Sequence, residues 1–200
     1  MHIVSVCKKC MATLMLQRHN RVCRALLGPC QEKFGLPVTH YSRHVDPVME
    51  NDRIKIYWDL RVRNLAKIKY TQPDMVIFDK VKLQIWIVEI GVSWHTRLQQ
   101  GWDIKYGKYA IDSNQIDLMD LPYPPGESLV GEMQRVNRGH SAEVIPIIVG
   151  CTGEVQRSVY DGLAKIGITW HQILTVIEKM QRSVVIGTSR LIRAHLAKES

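Results

Sequence analysis

Long apolar runs are missing from this chain. Stretches such as Leu14–Leu16 and Ile147–Val149 fall far short of the roughly 20 consecutive apolar residues that a membrane helix needs, so no span is expected. The opening Met-His-Ile-Val-Ser-Val-Cys-Lys-Lys-Cys has no basic region followed by an apolar one; no secretory leader is read there, and an intracellular protein is expected. Cysteine is sparse, with five in 200 residues. An odd number without a regular framework fits a reducing compartment better than a disulfide scaffold. Internal repeats and low-complexity tracts are absent as well. What remains is 46% hydrophobic and 23% charged, the composition of an ordinary globular protein. At 200 residues, one compact domain is expected rather than two.

Charge of one sign is in excess, and the excess is local. Against 27 Lys and Arg stand 19 Asp and Glu, a formal net charge of +8. Residues 1–69 hold 13 basic side chains and 5 acidic ones, whereas residues 70–200 hold 14 of each. Clustered cations suit a polyanion, because each neutralised phosphate releases condensed counterions. Nucleic acid, DNA or else RNA, is therefore the expected partner. Arg61, Arg63, Lys67 and Lys69 crowd one short segment and are the candidate backbone contacts; a solvated polar stretch is the alternative reading of such a run.

Periodicity divides the chain into elements. Arg18 to Lys33 carries Val22, Leu26 and Leu27 at helical spacing, with Gly28, Pro29 and Gly35 limiting the helix. Residues 36–52, with Pro37, Pro47 and Asn51, read as a loop. Lys55 to Val62 alternates as a strand does and delivers Asp59 near its end. Residues 74–78 and 83–90 are β-rich runs around a charged turn at 79–82, which predicts a hairpin. Thr96 to Ala110 places Leu98, Trp102, Lys105 or Tyr106, and Tyr109 on one stripe, weakened by Gly101 and Gly107. Residues 112–143 are acidic and broken by prolines, and predict an irregular excursion with at most a short helix near 128–136. Val144 to Val149 reads as a strand buried on both faces. A helix over Gln156–Ile166, stopped by Gly167, precedes a long amphipathic C-terminal helix with a candidate break at Gly187. The order predicts an α/β (α+β) protein: a three-strand meander, a crossover helix and a parallel strand, forming a mixed sheet flanked by helices.

The hairpin holds the most specific chemistry. If its turn is centred between Val81 and Lys82, Asp74 on one arm faces Glu89 on the other. Opposed residues of an antiparallel pair have Cβ atoms roughly 4.5–5.5 Å apart and share a face. Two carboxylates there repel each other, so a cation is expected between them. A divalent metal, Mg²⁺ or Mn²⁺, is a hard cation that carboxylates and phosphate oxygens hold, and it can promote phosphodiester cleavage. Asp59 could supply a third oxygen. Glu89 shares its side of the strand with Ile85 and Ile87, where an unpaired charge is costly. The competing reading makes Asp74 a turn cap and Glu89 a strand-end residue in solvent.

Pro73-Asp74 followed by Glu89 resembles the signature of PD-(D/E)XK, or restriction-like, nucleases, whose common core has the order αβββαβ. From about Arg18 onward the chain resembles the C-terminal restriction-like endonuclease region of polyproteins from non-long-terminal-repeat retrotransposons. The motifs carrying the resemblance are Arg18-His19-Asn20, Pro47-Val48-Met49-Glu50-Asn51, Trp58-Asp59, Pro73-Asp74-Met75-Val76-Ile77, Lys108-Tyr109, residues 144–150 and residues 187–193. The resemblance implies a restriction-like domain over 18–200, a Mg²⁺-dependent enzyme that nicks target DNA in the nucleus, and a reverse transcriptase upstream that is absent here. The signature's lysine position is Gly91 in this chain; family members similarly carry a Lys-x-x-Lys-Tyr pattern on the following helix, here Lys105 to Tyr109. Either Lys105 or Lys108 could serve the phosphate. The acidic, proline-broken excursion departs from the family pattern, and a catalytically decayed remnant that only binds nucleic acid is the alternative.

Residues 1–17 form an N-terminal segment that could be the remnant of a Cys-rich motif. Cys7, Cys10, His19 and Cys23 have the ligand types of a zinc knuckle. Against zinc, His19 belongs to the Arg-His-Asn motif, and Cys23 falls among the core positions of the first helix, where free cysteine acts as a small hydrophobe.

Overall fold

The computed structural model describes residues 12–40, 43–62, 68, 70–110 and 128–197. Its first helix, α1, runs over Ala12–Phe34, past Gly28 and Pro29, which the sequence suggests as limits. A residue ahead of proline is normally pushed out of helical geometry by a clash at its Cβ, and Gly28 has none. The cost that remains is Pro29's own: it donates no hydrogen bond, and its ring crowds the carbonyl four residues earlier. It ends where Gly35 takes a φ of +69°, a conformation that glycine adopts without steric penalty.

The strands are β1 (Val48–Glu50), β2 (Ile54–Trp58), β3 (Met75–Asp79), β4 (Gln84–Ser93) and β5 (Ser141–Gly150). They form one open sheet in the order β1-β2-β3-β4-β5, with β1 through β4 antiparallel. The Ser141 N–H donates to the Leu83 carbonyl, and the Cys151 N–H donates to the Ser93 carbonyl. The sequence offset is the same at both ends, as in a parallel pair, so β5 makes the sheet mixed.

Several boundaries differ from expectation: α1 begins at Ala12, inside the predicted 1–17 segment, and β4 runs on to Ser93. The loop predicted over 36–52 contains β1, organised by Asn51: its amide donates to the Phe34 carbonyl at 2.8 Å, and its Oδ1 accepts from the Arg53 and Ile54 N–H groups. Strand β2 stops at Trp58, four residues short of Val62, because Asp59 takes a φ of +45°. Strand β5 begins at Ser141 rather than Val144.

The remaining helices are α2 (Leu98–Ala110, after a 3-10 turn over His95–Arg97), α3 (Leu129–Val136), α4 (Arg157–Lys165) and α5 (Trp170–Leu196). Ser128 caps α3 by accepting the Gly131 N–H, and a Thr169–Gln172 capping box starts α5. Half of the predicted excursion, 112–127, lies outside the described residues.

Two compact units interleave along the chain: one comprises the chain up to Lys33, Ile90–Gly101 and everything from Ile147, the other Phe34–Glu89 and Trp102–Pro146. In the first, α5 does not break at Gly187. A Cβ at that glycine would stand 2.6 Å from Arg18 Cγ and 2.8 Å from Arg18 Cβ, so the position is small because Arg18 crosses it. The Arg18 guanidinium donates to Thr188 Oγ1 at 2.9 Å, and the Thr188 hydroxyl donates to the Cys151 carbonyl at 2.8 Å. Gly101 is small for a similar reason: a Cβ would lie 2.3 Å from Ser93 Oγ. In the second unit, Val76, Ile85, Ile87, Tyr109, Leu129, Met133 and Val144 form the buried cluster. Strand alternation puts Val76, Ile85 and Ile87 on one face of the sheet, the face that carries the acids.

Candidate active site

The register of the hairpin is the one the sequence predicts. Met75 pairs with Val88, Val76 with Ile87, Ile77 with Trp86, Phe78 with Ile85 and Asp79 with Gln84. One step further along the same register, Asp74 stands opposite Glu89. The register is fixed at the turn, where Asp79 Oδ1 accepts the N–H groups of Val81 and Lys82 at 3.0 and 2.8 Å, an aspartate closing its own turn. On the strands, a one-residue slip would turn Glu89 to the opposite face, among Trp86, Val88 and Ile90, which are also buried.

Glu89 is only 2% exposed, and every bond it makes answers its charge. Its Oε2 accepts the backbone N–H of Asp74 at 3.2 Å. Its Oε1 accepts from the ammonium groups of both Lys105, at 2.6 Å, and Lys108, at 2.8 Å. Positions three apart on a helix lie on the same side, so α2 presents both lysines to one carboxylate. The cation expected beside the opposed acids is thus present as a pair of ammoniums, and the sequence's ambiguity between Lys105 and Lys108 becomes a shared role. The competing idea of Glu89 at a solvent-facing strand end does not hold.

The surroundings hold the lysines in place. The Lys108 ammonium lies 4.6 Å from the Tyr109 ring centroid and 5.6 Å from that of Tyr70, within the range of cation–π attraction. The Tyr109 hydroxyl donates to the Gln72 carbonyl at 3.0 Å, which ties α2 to the segment entering β3. Asp59 is next to Asp74 in the β2–β3 register, and its N–H donates to the Asp74 carbonyl at 3.0 Å. Its own carboxylate is exposed and accepts from the Gln72 amide at 3.0 Å. Gln72 and Tyr70 are not legible as site residues, because such hydrogen bonds and cation–π contacts leave no mark in a sequence, whereas Tyr109 enters as the last residue of the Lys-x-x-Lys-Tyr pattern.

Asp74 and Glu89 offer oxygen donors alone, the chemistry that Mg²⁺ or Mn²⁺ takes. For the zinc reading, Cys7 and Cys10 lie outside the described residues. His19 and Cys23 are one turn apart on α1, with Cys23 Sγ 3.6 Å from His19 Nδ1, and His19 Nε2 is 3.2 Å from the Ile90 carbonyl oxygen. Cys23 is buried, as the core-hydrophobe reading has it. Of the basic segment, Arg61 is exposed, while Arg63, Lys67 and Lys69 lie outside the described residues. Among the described residues, no helix is long and apolar enough to cross a membrane.

No protein-family model matches this chain, and no curated protein matches its sequence.

Proposed function

We propose that this chain is a metal-dependent DNA endonuclease of the restriction-like kind, nicking DNA at the Asp74–Glu89 end of the β3–β4 hairpin, as the resemblance to LINE-type retrotransposon endonucleases implies. The observation that carries the reading is the nearly buried Glu89 carboxylate opposite Asp74 with Lys105 and Lys108 both on one of its oxygens. A buried carboxylate with two ammoniums is a costly arrangement that packing alone does not require, and such sites concentrate where charge must be handled.

Asp74 and Glu89 are the residues that would hold Mg²⁺, with Asp59 in support. When bound, the metal supplies a Lewis acid for the phosphate and lowers the pKa of a coordinated water. The chain's own groups do the rest. Lys105 and Lys108 stand where an incoming phosphodiester can compete with Glu89 for their N–H donors. An ammonium drawn onto a non-bridging oxygen stabilises the negative charge that builds there during attack. Tyr70 and Tyr109 keep Lys108 oriented while it changes partner. Arg61, with Arg63, Lys67 and Lys69, supplies salt-sensitive contacts to the backbone.

A second reading, a decayed remnant that binds nucleic acid without cutting it, is favoured by the same clamp: Glu89 is already neutralised by two lysines. The purified chain should convert supercoiled plasmid to open circles in Mg²⁺, stop in EDTA, and lose the activity in Asp74→Ala. Equal nicking by Asp74→Ala refutes the assignment, whereas salt-dependent binding without nicking leaves the second reading standing.

A further inference from the structure

The acid-bearing face of the sheet continues away from Asp74 and Glu89. Residues directly paired across antiparallel strands share a face, so Tyr57, paired with Val76, and Lys55, paired with Phe78, lie on the same side as the acids. At roughly 3.3 Å per residue, Tyr57 lies about 7 Å and Lys55 about 13 Å along the strands from the acid row. A nucleic-acid strand rising about 3.4 Å per nucleotide covers that distance in a few nucleotides.

There the face borders a cavity of about 640 Å³ within the second unit, a size that suits a small ligand or a nucleotide. Its lining includes the rings of Tyr57 and Phe78, with Lys55, Arg61, Lys80 and His140 around them. The rings meet edge to face, with centroids 5.4 Å apart, and Tyr57 and Phe78 are only partly buried. The charge is positive. Lys55 and Lys80 share the single carboxylate of Glu50, at 3.1 and 2.6 Å, and Arg61 adds an exposed cation. The acid in the lining, Glu132, is held by two bonds from the Arg135 guanidinium. His140 Nδ1 is buried without a hydrogen-bond partner, a cost that a ligand can relieve by drawing the ring to itself.

We infer that this cavity is a subsite for an unpaired nucleotide of the bound strand, its base stacking on Tyr57 or Phe78 and its phosphate meeting Lys55, Lys80 and Arg61. Aromatic rings beside a cationic rim are what single-stranded nucleic acid requires, since every base has a π-face and every linkage a charge. The inference deepens the nucleic-acid reading of the same sheet face.

The test is fluorescence anisotropy with a short fluorescein-labelled single strand of deoxythymidylate in EDTA, where cleavage plays no part. Tyr57→Leu keeps apolar volume while removing the ring's stacking, and should weaken binding about tenfold. Arg61→Ala, at an exposed position, should lower the slope of log affinity against log salt by about one. Ultraviolet cross-links should fall on the peptides carrying Tyr57 or Phe78. Unchanged affinity and salt slope in both variants, or cross-links only elsewhere, overturns the subsite. Plasmid nicking that persists with both variants binding as wild type refutes the subsite alone. Binding that depends on Tyr57 and Arg61, without any nicking, refutes the cutting reading alone.

Discussion

Removing both lysines from Glu89 tests the energetics of the site without relying on its activity. Glu89 has a side chain 3% exposed, with ammonium nitrogens at 2.6 and 2.8 Å. Lys105→Met or Lys108→Met alone leaves the other ammonium on the carboxylate, and each should cost about 0.5–1.5 kcal/mol, the worth of one net hydrogen bond. The double variant leaves a buried charge without a cation and should cost about 3–5 kcal/mol, more than the two single changes together. For a chain of this length that is a fall in Tm of roughly 6–20 °C. Glu89→Gln in the double background should recover much of the loss, because a neutral amide needs no counter-charge. Urea unfolding followed by tryptophan fluorescence, read as a shift in midpoint at constant slope, measures all of these. If the double variant costs only the sum of the singles, or Glu89→Gln restores nothing, Glu89 is not a buried charge held by two interchangeable partners.

Three further outcomes follow from contacts elsewhere. Gly187→Ala places a methyl group against Arg18 at 2.6–3.0 Å and should destabilise the protein by about 1–3 kcal/mol through overpacking; a thermal midpoint equal to that of wild type would contradict the crossing of α1 and α5 described above. Burial pushes the Cys30 thiol up to about 12, so native protein should resist alkylation at Cys30 near pH 8 and react once unfolded, as peptide mass mapping would show. Hydrogen bonds from Lys80 and then Lys55 hold the Glu50 carboxyl below its usual range. A depressed folded-state pKa contributes stability above the ordinary carboxylate range that is lost as pH falls through the lowered value. Thermal midpoints of Glu50→Gln should therefore decline less than those of wild type on acidification below about pH 4.5.

What could be read in advance was whatever one strand or one turn determines. Asp79 and its neighbours mark a tight turn, so the opposition of Asp74 to Glu89 follows from arithmetic on the register. The sequence leaves Lys105 and Lys108 as alternatives; that both reach one side and share one oxygen is seen only in the structure. Strand β1 escaped because three residues cannot display a period, and its stability comes from pairing with β2 and from the turn that Asn51 organises. Gly28-Pro29 reads as a stop in isolation and is absorbed because the glycine removes the clash. Gly187 reads as a break because the crossing arginine lies 169 positions earlier in the chain. The cavity beside Tyr57 draws on β2, β3 and α3 together, and no local pattern announces it.

Whether the hairpin acids hold a divalent cation in company with DNA is the most direct test of the proposed function. Electron paramagnetic resonance of Mn²⁺ titrated into the protein with a short duplex, for wild type, Asp74→Asn and Glu89→Gln, reads this without cleavage chemistry. Bound Mn²⁺ in wild type, weakened at least tenfold in each variant, is the expected result. Mn²⁺ that binds all three proteins alike, or none of them, contradicts it.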